Sequence, residues 1–433
     1  MAERPPTLSG PYQGYYHREI PAEDPELTHV GPGTPAGEYL RRFWQPVAFS
    51  HELADVPLAL RILGEDLVVF RDHSGRVGLL EQHCSHRGTS LEFGRLEERG
   101  IRCCYHGWLY DVDGQVLETP AEPPASTYKD RVWHGAYPTR EYQGMVFAYL
   151  GPPDRQPALP IYDVFDLPGY QLVPGRKHVL PCNWLQSKEN AMDLAHIVFL
   201  HTRISGPQFT ESHGLLSTLE WRETPTGLMT IEPRRVGDNI WLRTIDFILP
   251  NIHQFGPTWE NGKQEKYSNR PQHTIWSVPI DDTHTMNISF MYLSPDEAAD
   301  PARVERIRES FGQTDDRPYA ERQRVPGDYD AQVSQRPIAI HALEHLASSD
   351  RGVIMVRKLL RDGVRAVQQG QDPLGLVREE GQVIPTYCRD WIQRLPPAAT
   401  PEADEQLLRD TADQVVADYL AGRPVTAGAG ATL

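Results

Sequence analysis

Two short loops that each carry a cysteine and a histidine constrain the fold of this chain more than any other feature. The first loop is Cys84-Ser85-His86 and the second is Cys103-Cys104-Tyr105-His106, with sixteen residues between them. A thiolate and an imidazole close together on one loop are metal ligands, and two such loops make a Cys₂His₂ site. The chain is therefore expected to bring Cys84, His86, Cys103 and His106 together.

The order of the ligands favours one kind of centre over another. In a Rieske 2Fe–2S centre two cysteines hold one iron and two histidines hold the other, and each loop carries one residue of each type. A tetrahedral zinc site is the alternative, although zinc motifs more commonly pair Cys with Cys and His with His. Gly88 and Gly107 follow the loops, where the backbone must pass close to the centre. Cys104 has the wrong spacing to His106 and is interpreted as a bystander.

Composition and charge exclude several classes of protein. The five cysteines are an odd, sparse set, which argues against a disulfide framework. The formal net charge is -16 and no dense Lys/Arg cluster occurs, so a nucleic-acid partner is not expected. No run of about 18 apolar residues predicts a membrane helix. Residues 1–10 lack the basic-then-apolar order of a secretory signal, so a cytoplasmic location is predicted.

The length of 433 residues is more than one hydrophobic core usually serves, so two domains are expected. Short apolar runs separated by turn signals predict a small all-β domain, and a later group of strands flanked by helices predicts an α+β domain. The predicted units are an N-terminal arm with a short helix (1–45), the all-β domain (46–155), the α+β domain (156–421) and a disordered tail (422–433). Helices are predicted over 34–44, 183–200, 301–311, 348–369 and 402–421. Strands are predicted over 58–63, 67–71, 77–81, 107–112, 144–150, 215–221, 228–233, 240–249, 274–278 and 285–292.

The helix predicted over 183–200 carries a second group of metal-binding side chains, Asp193 and His196, with His201 just beyond it. Two histidines with an acidic neighbour can form a 2-His-1-carboxylate iron site, which leaves coordination positions open for O₂. His196 and His201 are five residues apart, roughly 140° around an ideal helix. Both can reach one metal only if the helix bends, widens or ends, so we predict a distortion near Val198 to His201. Chance is the alternative explanation, because the chain has 17 histidines.

These motifs resemble a known family. The stretches Cys84-Ser85-His86-Arg87-Gly88 and Cys103-Cys104-Tyr105-His106-Gly107-Trp108 are similar to the paired loops of Rieske oxygenases. The spacing from Asp193 to His196 and His201, with a later Asp, is similar to the catalytic domain of that family. Weaker cues at Val30 to Pro35, Trp44 to Val47 and Val278 to Thr285 resemble the branch of phthalate dioxygenases and aryl-ether O-demethylases.

The resemblance implies a set of ligands and a fold. Cys84, His86, Cys103 and His106 would hold the cluster, and His196, His201 and Asp350 would hold the mononuclear iron. The implied fold is α+β: a small all-β Rieske domain plus a catalytic domain with an antiparallel sheet and helices, of the helix-grip type. For Asp350 alone, compensation of charge at a helix N-terminus is the competing explanation.

In that family Asp193 corresponds to a catalytic carboxylate that connects a neighbouring subunit's cluster to the iron. Its partners there match His106 and His196, and the subunits form a ring. The resemblance therefore implies a homotrimer or a multiple of one. Asn190, one turn before Asp193, is a candidate supporting residue, with a surface or a core role as equal alternatives.

The implied function is that of a terminal oxygenase. It would take electrons from NAD(P)H through a separate reductase of the flavin or ferredoxin type, and use O₂ to dihydroxylate, monohydroxylate or O-demethylate a small aromatic compound. No dinucleotide-binding fingerprint occurs in the chain itself. Arg234, Arg235 and Arg243 lie on predicted strands, and an inward arginine could pair with a substrate carboxylate. For any one of them, an outward and solvated side chain is the favoured alternative. The alternatives are a Rieske electron-transfer protein without catalysis and a zinc-stabilised binding module.

Overall fold

A computed structural model of the chain describes residues 8–14, 19–256, 266–268, 270–308 and 316–423. Most of the predicted disordered tail, residues 424–433, lies outside this range, as do residues 309–311 of the predicted helix 301–311. The predicted domain boundaries remain predictions. Among the described residues, none of the helices combines the length and the apolar character needed to cross a bilayer.

Helices and strands are both frequent in the described residues, as expected for an α+β chain. The α-helices are α1 (Pro25–Thr28), α2 (Pro35–Leu40), α3 (Trp184–Met192), α4 (Ala195–Val198), α5 (Pro295–Ala298), α6 (Pro301–Arg308), α7 (Tyr319–Arg324), α8 (Asp328–Val333), α9 (Arg351–Gln368) and α10 (Pro401–Leu420). Shorter 3₁₀ turns cover Ser50–Glu52, Leu91–Phe93, Tyr128–Arg131, Pro153–Arg155, Asp163–Asp166, Glu211–Gly214, His341–Leu343 and Ser348–Asp350.

The strands of the N-terminal part are short and form three antiparallel sheets. They are β1 (Gln45–Phe49), β2 (Leu58–Ile62), β3 (Glu65–Arg71), β4 (Val77–Glu81), β5 (Arg95–Leu96), β6 (Ile101–Arg102), β7 (Leu109–Tyr110), β8 (Val116–Glu118), β9 (Ala136–Tyr137), β10 (Thr139–Tyr142) and β11 (Met145–Ala148). The sheet orders are β1-β11-β10, β2-β3-β4-β9 and β5-β6-β7-β8. The two cysteine–histidine loops connect β4 to β5 and β6 to β7, so neighbouring sheets present them together.

The C-terminal part is built on one large antiparallel sheet. Its strands are β12 (Ile161–Tyr162), β13 (Gln171–Leu180), β14 (Glu220–Thr224), β15 (Gly227–Val236), β16 (Asn239–Thr244), β17 (Asp246–Ile248), β18 (Ile252–Phe255), β19 (Lys266–Ser268), β20 (His273–Asp281), β21 (His284–Leu293), β22 (Val383–Ile384) and β23 (Arg389–Arg394). The order is β13-β21-β20-β18-β17-β15-β16-β23-β19, with β14 beside β15, while β12 and β22 pair separately in parallel.

One apolar core joins the two parts of the chain. Its buried side chains include Trp44 and Phe147 from the N-terminal sheets and Trp276 and Phe290 from the large sheet. The Phe147 and Trp276 rings meet edge to face with centroids 5.8 Å apart. A second core, which contains Cys84, Cys103 and Trp108, lies under the two loops. The fold class predicted from the sequence is therefore confirmed, and the cluster loops rest on a small core of their own.

Candidate functional site

The two cysteine–histidine loops have the same backbone design. In each, the cysteine carbonyl accepts a bond from the N–H of the glycine four residues later: Gly88 to Cys84 at 2.8 Å and Gly107 to Cys103 at 3.1 Å. Both glycines have positive φ, 76° and 75°. Glycine adopts this conformation without the strain that a Cβ atom would bring. The glycines therefore allow the sharp turns that present the ligands.

The four predicted ligands separate into a buried pair and an accessible pair. Cys84 and Cys103 are 3% and 2% exposed, whereas His86 is exposed and His106 is half-buried. The imidazole centroids lie 4.5 Å apart, and His86 stacks on Trp108 at 4.8 Å. The Cys84 sulfur lies 2.9 Å from the Tyr110 hydroxyl. Cysteines therefore meet on the inner side of the loops and histidines at their tip, while Cys104 is exposed beside them.

This separation fits a two-iron cluster better than a single zinc ion. A tetrahedral zinc ion with ligands about 2.0–2.3 Å away holds its donor atoms less than about 4 Å from one another. Among the described residues, the four loop side chains do not form a group with its donor atoms all within 4.8 Å. A sulfide-bridged pair of irons instead takes two cysteines at one iron and two histidines at the other.

The segment with the second set of ligands is an interrupted helix. Asn183 begins α3 by accepting a bond from the N–H of Leu185 at 3.1 Å. The helix stops at Asp193, α4 follows, and a π-helical segment then covers Phe199–Ile204. The distortion predicted near Val198 to His201 is confirmed as this wider π-helical turn. The interruption at Asp193 was not predicted.

The wider turn brings both histidines to one carboxylate. His196, His201 and Asp328 form a group with ligand atoms all within 4.8 Å of one another. The Nε2 atoms of His201 and His196 lie 3.1 and 3.5 Å from Oδ1 of Asp328, the first residue of α8. Two imidazoles and one carboxylate that converge in this way are the donor set of a non-haem ferrous site.

Neighbouring side chains orient each member of this triad. The side-chain oxygen of Gln208 lies 2.7 Å from Nδ1 of His201, which leaves Nε2 of that ring directed at Asp328. The side-chain amide of Asn190 donates to Oδ1 of Asp328 at 3.1 Å. Such outer contacts hold ligands in place for a metal. The role of Asn190 as a supporting residue agrees with this contact.

Electrostatics keep Asp328 ionised. Burial raises the pKa of this carboxyl, but the interactions with His201, with His196 and with Asn190 outweigh burial and hold the pKa well below its ordinary range. An ionised carboxylate is the form that binds a cation.

Asp350 does not join the two histidines, and the predicted ligand set is corrected at this position. Asp350 ends the 3₁₀ turn before α9, where its Oδ2 accepts a bond from the N–H of Ala347 at 2.7 Å. This position agrees with the alternative given for Asp350 in the sequence analysis, a carboxylate that compensates charge at the start of a helix. Sequence reasoning missed Asp328 because several acidic residues lie between 315 and 350, and nothing in linear spacing distinguishes them.

Asp193 lies between the triad and the surface. Its side chain is 34% exposed, and Oδ2 is 3.8 Å from Nδ1 of His196, which also contacts the Asp193 carbonyl oxygen. Oδ1 accepts a bond from the N–H of Ala195 at 3.0 Å, which holds the carboxylate at the break between α3 and α4. The carboxylate therefore contacts a triad histidine on one side and remains accessible on the other.

The triad lies in the wall of a cavity of about 230 Å³. Apolar side chains such as Leu180, Ile197 and Phe209 line part of it, and basic side chains line much of the rest. Of the residues that line the cavity in the described structure, Asp328 carries the one carboxylate. A small organic molecule with some polar character fits this lining.

The three arginines considered as candidate substrate ligands have different positions. Arg235 pairs with Asp404 at 2.5 Å, and Arg234 pairs with Glu232 at 2.6 Å inside the protein. Only Arg243 of the three lines the cavity, where its guanidinium contacts His213 and the Gly256 carbonyl, both at 2.9 Å. Sequence reasoning missed Arg176, which also lines the cavity, because β13 has no motif that marks it.

Comparison with known proteins identifies the family. Residues 43–129 match the model of the Rieske [2Fe-2S] domain, and residues 180–366 match the vanillate O-demethylase oxygenase C-terminal domain. The tert-butanol monooxygenase / tert-amyl alcohol desaturase oxygenase subunit of Aquincola tertiaricarbonis is 44% identical, over 94% of this chain and 91% of that protein. The chain belongs to the Rieske non-haem iron oxygenases. It is an oxygenase subunit that carries a Rieske 2Fe–2S cluster and a mononuclear iron, as predicted.

Other relatives of this Rieske oxygenase agree. The phenoxybenzoate dioxygenase subunit alpha of Ectopseudomonas oleovorans is 37% identical over 89% of this chain and 95% of that protein. Among solved structures, NdmA of Pseudomonas putida CBB5, as a QL mutant with theobromine, has a TM-score of 0.60 at 21% identity, covering 81% of this chain and 100% of that chain. At that identity the likeness shows the fold alone. The two alternatives without oxygenase activity, an electron-transfer protein and a zinc module, are excluded by the family.

Proposed function

We propose that this chain is the terminal oxygenase of a system that acts on a small aromatic compound with an acidic substituent. The observation that carries the proposal is the triad of His196, His201 and Asp328 in the wall of a cavity lined largely by apolar and basic side chains. The same chain has the four cluster ligands at Cys84, His86, Cys103 and His106. The cluster supplies single electrons and the mononuclear iron supplies activation of O₂ when both are bound.

The residues around the iron site would keep its donors oriented. Gln208 holds the His201 ring so that Nε2 is available as a ligand, and Asn190 holds the Asp328 carboxylate. The apolar wall, with Ile197 and Phe209, would exclude water from the reacting carbon of the substrate. The chain's contribution is thus orientation and exclusion of water, as is usual when a cofactor performs the chemistry.

Asp193 is proposed as the connection to the cluster of a second subunit. Its contact with His196 and its 34% exposure support this role, because an accessible carboxylate can bond a second imidazole. His106, at the accessible tip of its loop, is the proposed partner. The arrangement requires a ring of subunits, and we propose a homotrimer or a multiple of one.

A separate reductase is the remaining partner of such an oxygenase. Relatives named as oxygenase subunits belong to systems with more than one component, and the proposed partner is an NAD(P)H-dependent reductase. We also propose a cytoplasmic location. The substrate determines the type of reaction: O-demethylation requires a methoxy group, and dioxygenation requires an unsubstituted edge of the aromatic ring.

A second candidate substrate class is a tertiary alcohol. It is favoured by the 44% identity with the tert-butanol monooxygenase subunit, whose name describes an aliphatic reaction. Arg176 and Arg243 in the lining favour an acid over a neutral alcohol, because an anionic substituent pairs with a guanidinium and an alcohol does not.

Product analysis with isotopically labelled O₂ separates these proposals. The holoenzyme would be incubated with a generic reductase, NADH and a panel of aromatic acids, methoxyarenes and tert-butyl alcohol. Label in the product of an aromatic acid, or formaldehyde from a methoxybenzoate, is the expected result. Turnover of tert-butyl alcohol alone would replace the first substrate class by the second, and no label in any product would contradict the proposal.

A further inference from the structure

One face of the large sheet forms the floor of the cavity. Residues two apart on a strand point to the same face, and the cavity is lined by such pairs: Arg176 and His178 on β13, His253 and Phe255 on β18, and His273 and Ile275 on β20. Between β13 and β20 runs β21, where Asn287 lies opposite His178. Four adjacent strands therefore present several basic side chains to one space.

A second, smaller cavity, called the lobe here, adjoins the main cavity at this floor. The lobe has a volume of about 60 Å³ and shares Arg176, His178 and His273 with the main cavity. The triad residues His196, His201 and Asp328 line the main cavity and not the lobe. A molecule with one end in the lobe would therefore extend toward the iron site with its other end.

We infer that Arg176, His178 and His273 form a subsite for the anionic substituent of the substrate, a carboxylate or a sulfonate. The inference rests on the proposed function, because it assigns one end of the substrate in the same cavity. None of these three residues is among the arginines considered from the sequence, which are Arg234, Arg235 and Arg243.

Hydrogen-bonding capacity in the lobe supports the subsite. Nδ1 of His178 is buried and has no hydrogen-bond partner within the described part of the chain. The His273 ring, in a residue that is 6% exposed, packs against Phe255 with centroids 5.2 Å apart and lines the same lobe. Buried polar atoms normally have partners, and such atoms in a ligand cavity are explained by a ligand that supplies one.

Charge in the lobe supports an anion in particular. Burial lowers the pKa of Arg176 to about 10. Burial and then the neighbouring Arg176 charge lower the pKa of His178 to about 4, and burial, Arg176 and Arg270 lower the pKa of His273 to about 3. No carboxylate lines the lobe among the described residues. An anion would add a charge-assisted bond to the half-buried Arg176 guanidinium and accept bonds from the two imidazoles.

Equilibrium binding tests the subsite without turnover. Benzoate and its neutral counterpart benzamide would be titrated into the holoenzyme by calorimetry, without reductase. Loss of a hydrogen bond to a charged group is worth about 10- to 100-fold in affinity, so Arg176→Met should weaken benzoate binding by that factor. Benzamide binding should change by less than about threefold, and His178→Phe should weaken benzoate about three- to tenfold.

Lys177→Met is the matched control. Lys177 lies on the same strand as Arg176 but pairs with Glu52 at 2.7 Å outside the cavity, so this variant removes one positive charge nearby without touching the lobe. It should leave both affinities unchanged. Iron content and the visible spectrum of each variant check that the fold is retained, and His273→Phe provides a third test if Arg176→Met does not fold.

Four results would overturn the inference: native protein that does not prefer benzoate, equal weakening of both probes in Arg176→Met, unchanged benzoate affinity in the lobe variants, or the same loss in Lys177→Met. Since no turnover is involved, the outcome is separable from the proposed reaction. A native preference for benzoate that depends on Arg176, together with failure of every labelled-O₂ incubation, would leave the subsite standing and remove the reaction.

Discussion

Asp328 is the residue on which the iron site depends, because one oxygen of its carboxylate faces both histidines and the Asn190 amide. Asp328→Ala should lose the mononuclear iron, since two imidazoles alone bind it weakly and the open face then admits water. Asp350→Ala should keep this iron and lose the bonds from the Ala347 N–H and the Ser349 hydroxyl, together with the negative charge at the start of α9, worth about 1–2 kcal/mol of stability.

Iron content per chain and the electron paramagnetic resonance signal of the reduced cluster measure these outcomes. The cluster signal should be the same in both variants and in the native protein. Loss of the mononuclear iron in Asp350→Ala, with retention in Asp328→Ala, would return the ligand role to Asp350.

Lys188 is a buried amine next to His253, a residue that lines the cavity. The side chain is fully buried on α3, and its Nζ lies 2.6 Å from Nδ1 of His253. Burial lowers the pKa of this amine well below its ordinary value. The unfolded chain therefore binds more protons than the folded chain between that lowered pKa and the ordinary value of about 10.4, and stability must rise with pH across this window.

Lys188→Met removes this dependence. The free energy of unfolding of the native protein, minus that of the variant, should increase from pH 7 to pH 10 by at most about 1.4 kcal/mol per pH unit. Urea midpoints of both proteins, measured at several pH values, provide the comparison. A difference that stays constant with pH would mean that the buried amine keeps its charge.

Among the secondary-structure elements, the interrupted helix that carries the iron ligands was predicted only in part. The five-residue separation of His196 and His201 required a distortion, and the π-helical turn over Phe199–Ile204 supplies it. The break at Asp193 has no comparable signal, because no proline or glycine marks it. At this end α3 packs against α9, and the Trp221 indole N–H donates to the Met192 carbonyl oxygen at 3.0 Å; both contacts are distant in sequence.

Long strands were predicted more accurately than short ones. β3 and β21, with strong apolar runs, were predicted within two residues of their observed bounds. Residues 107–112 were predicted as one strand, but only Leu109–Tyr110 pair as one, because Gly107 belongs to the ligand loop. Asp328 was missed for a related reason: its position beside the histidines is set by the fold around α8 and not by spacing.

Gly352 on α9 tests the packing that holds the break. A Cβ atom there would lie 2.2 Å from Nε1 of Trp221 and 2.5 Å from the Met192 carbonyl oxygen, the pair that closes the end of α3 at 3.0 Å. Overpacking costs about 1–3 kcal/mol, and the better helix propensity of alanine offsets about 1 kcal/mol of that. Gly352→Ala should therefore unfold at lower urea and turn over more slowly per bound iron.

Gly363→Ala is the matched variant on the same helix. Its Cβ would lie 2.5 Å from the Tyr39 ring, away from α3, so it should lose stability without losing turnover per iron. Equal turnover per iron in the two variants would show that the end of α3 does not affect the reaction.

For the whole molecule, the two metal centres lie in different parts of one chain. The N-terminal and C-terminal parts share a core, which gives little freedom to swing one centre toward the other. The cluster histidines are accessible at the tip of their loops, and Asp193 is accessible beside His196. Both ends of the proposed electron route therefore face outward, as needed for transfer between subunits.

Mixed assemblies test this route. Cys84→Ser removes a cluster ligand and Asp328→Ala removes an iron ligand, so each variant should be inactive alone. In co-expressed random assemblies, a chain with an intact cluster faces a chain with an intact iron site at about a quarter of the head-to-tail interfaces, so about a quarter of native activity should return.

A mixture of Asp328→Ala with His201→Ala chains is the control, because neither has an intact iron site and no activity should return. Recovery in the first mixture and not in the second would establish transfer across an interface. Absence of recovery in assemblies shown by mass spectrometry to contain both chains would mean that each cluster serves the iron of its own chain, and Asp193 would then need another role.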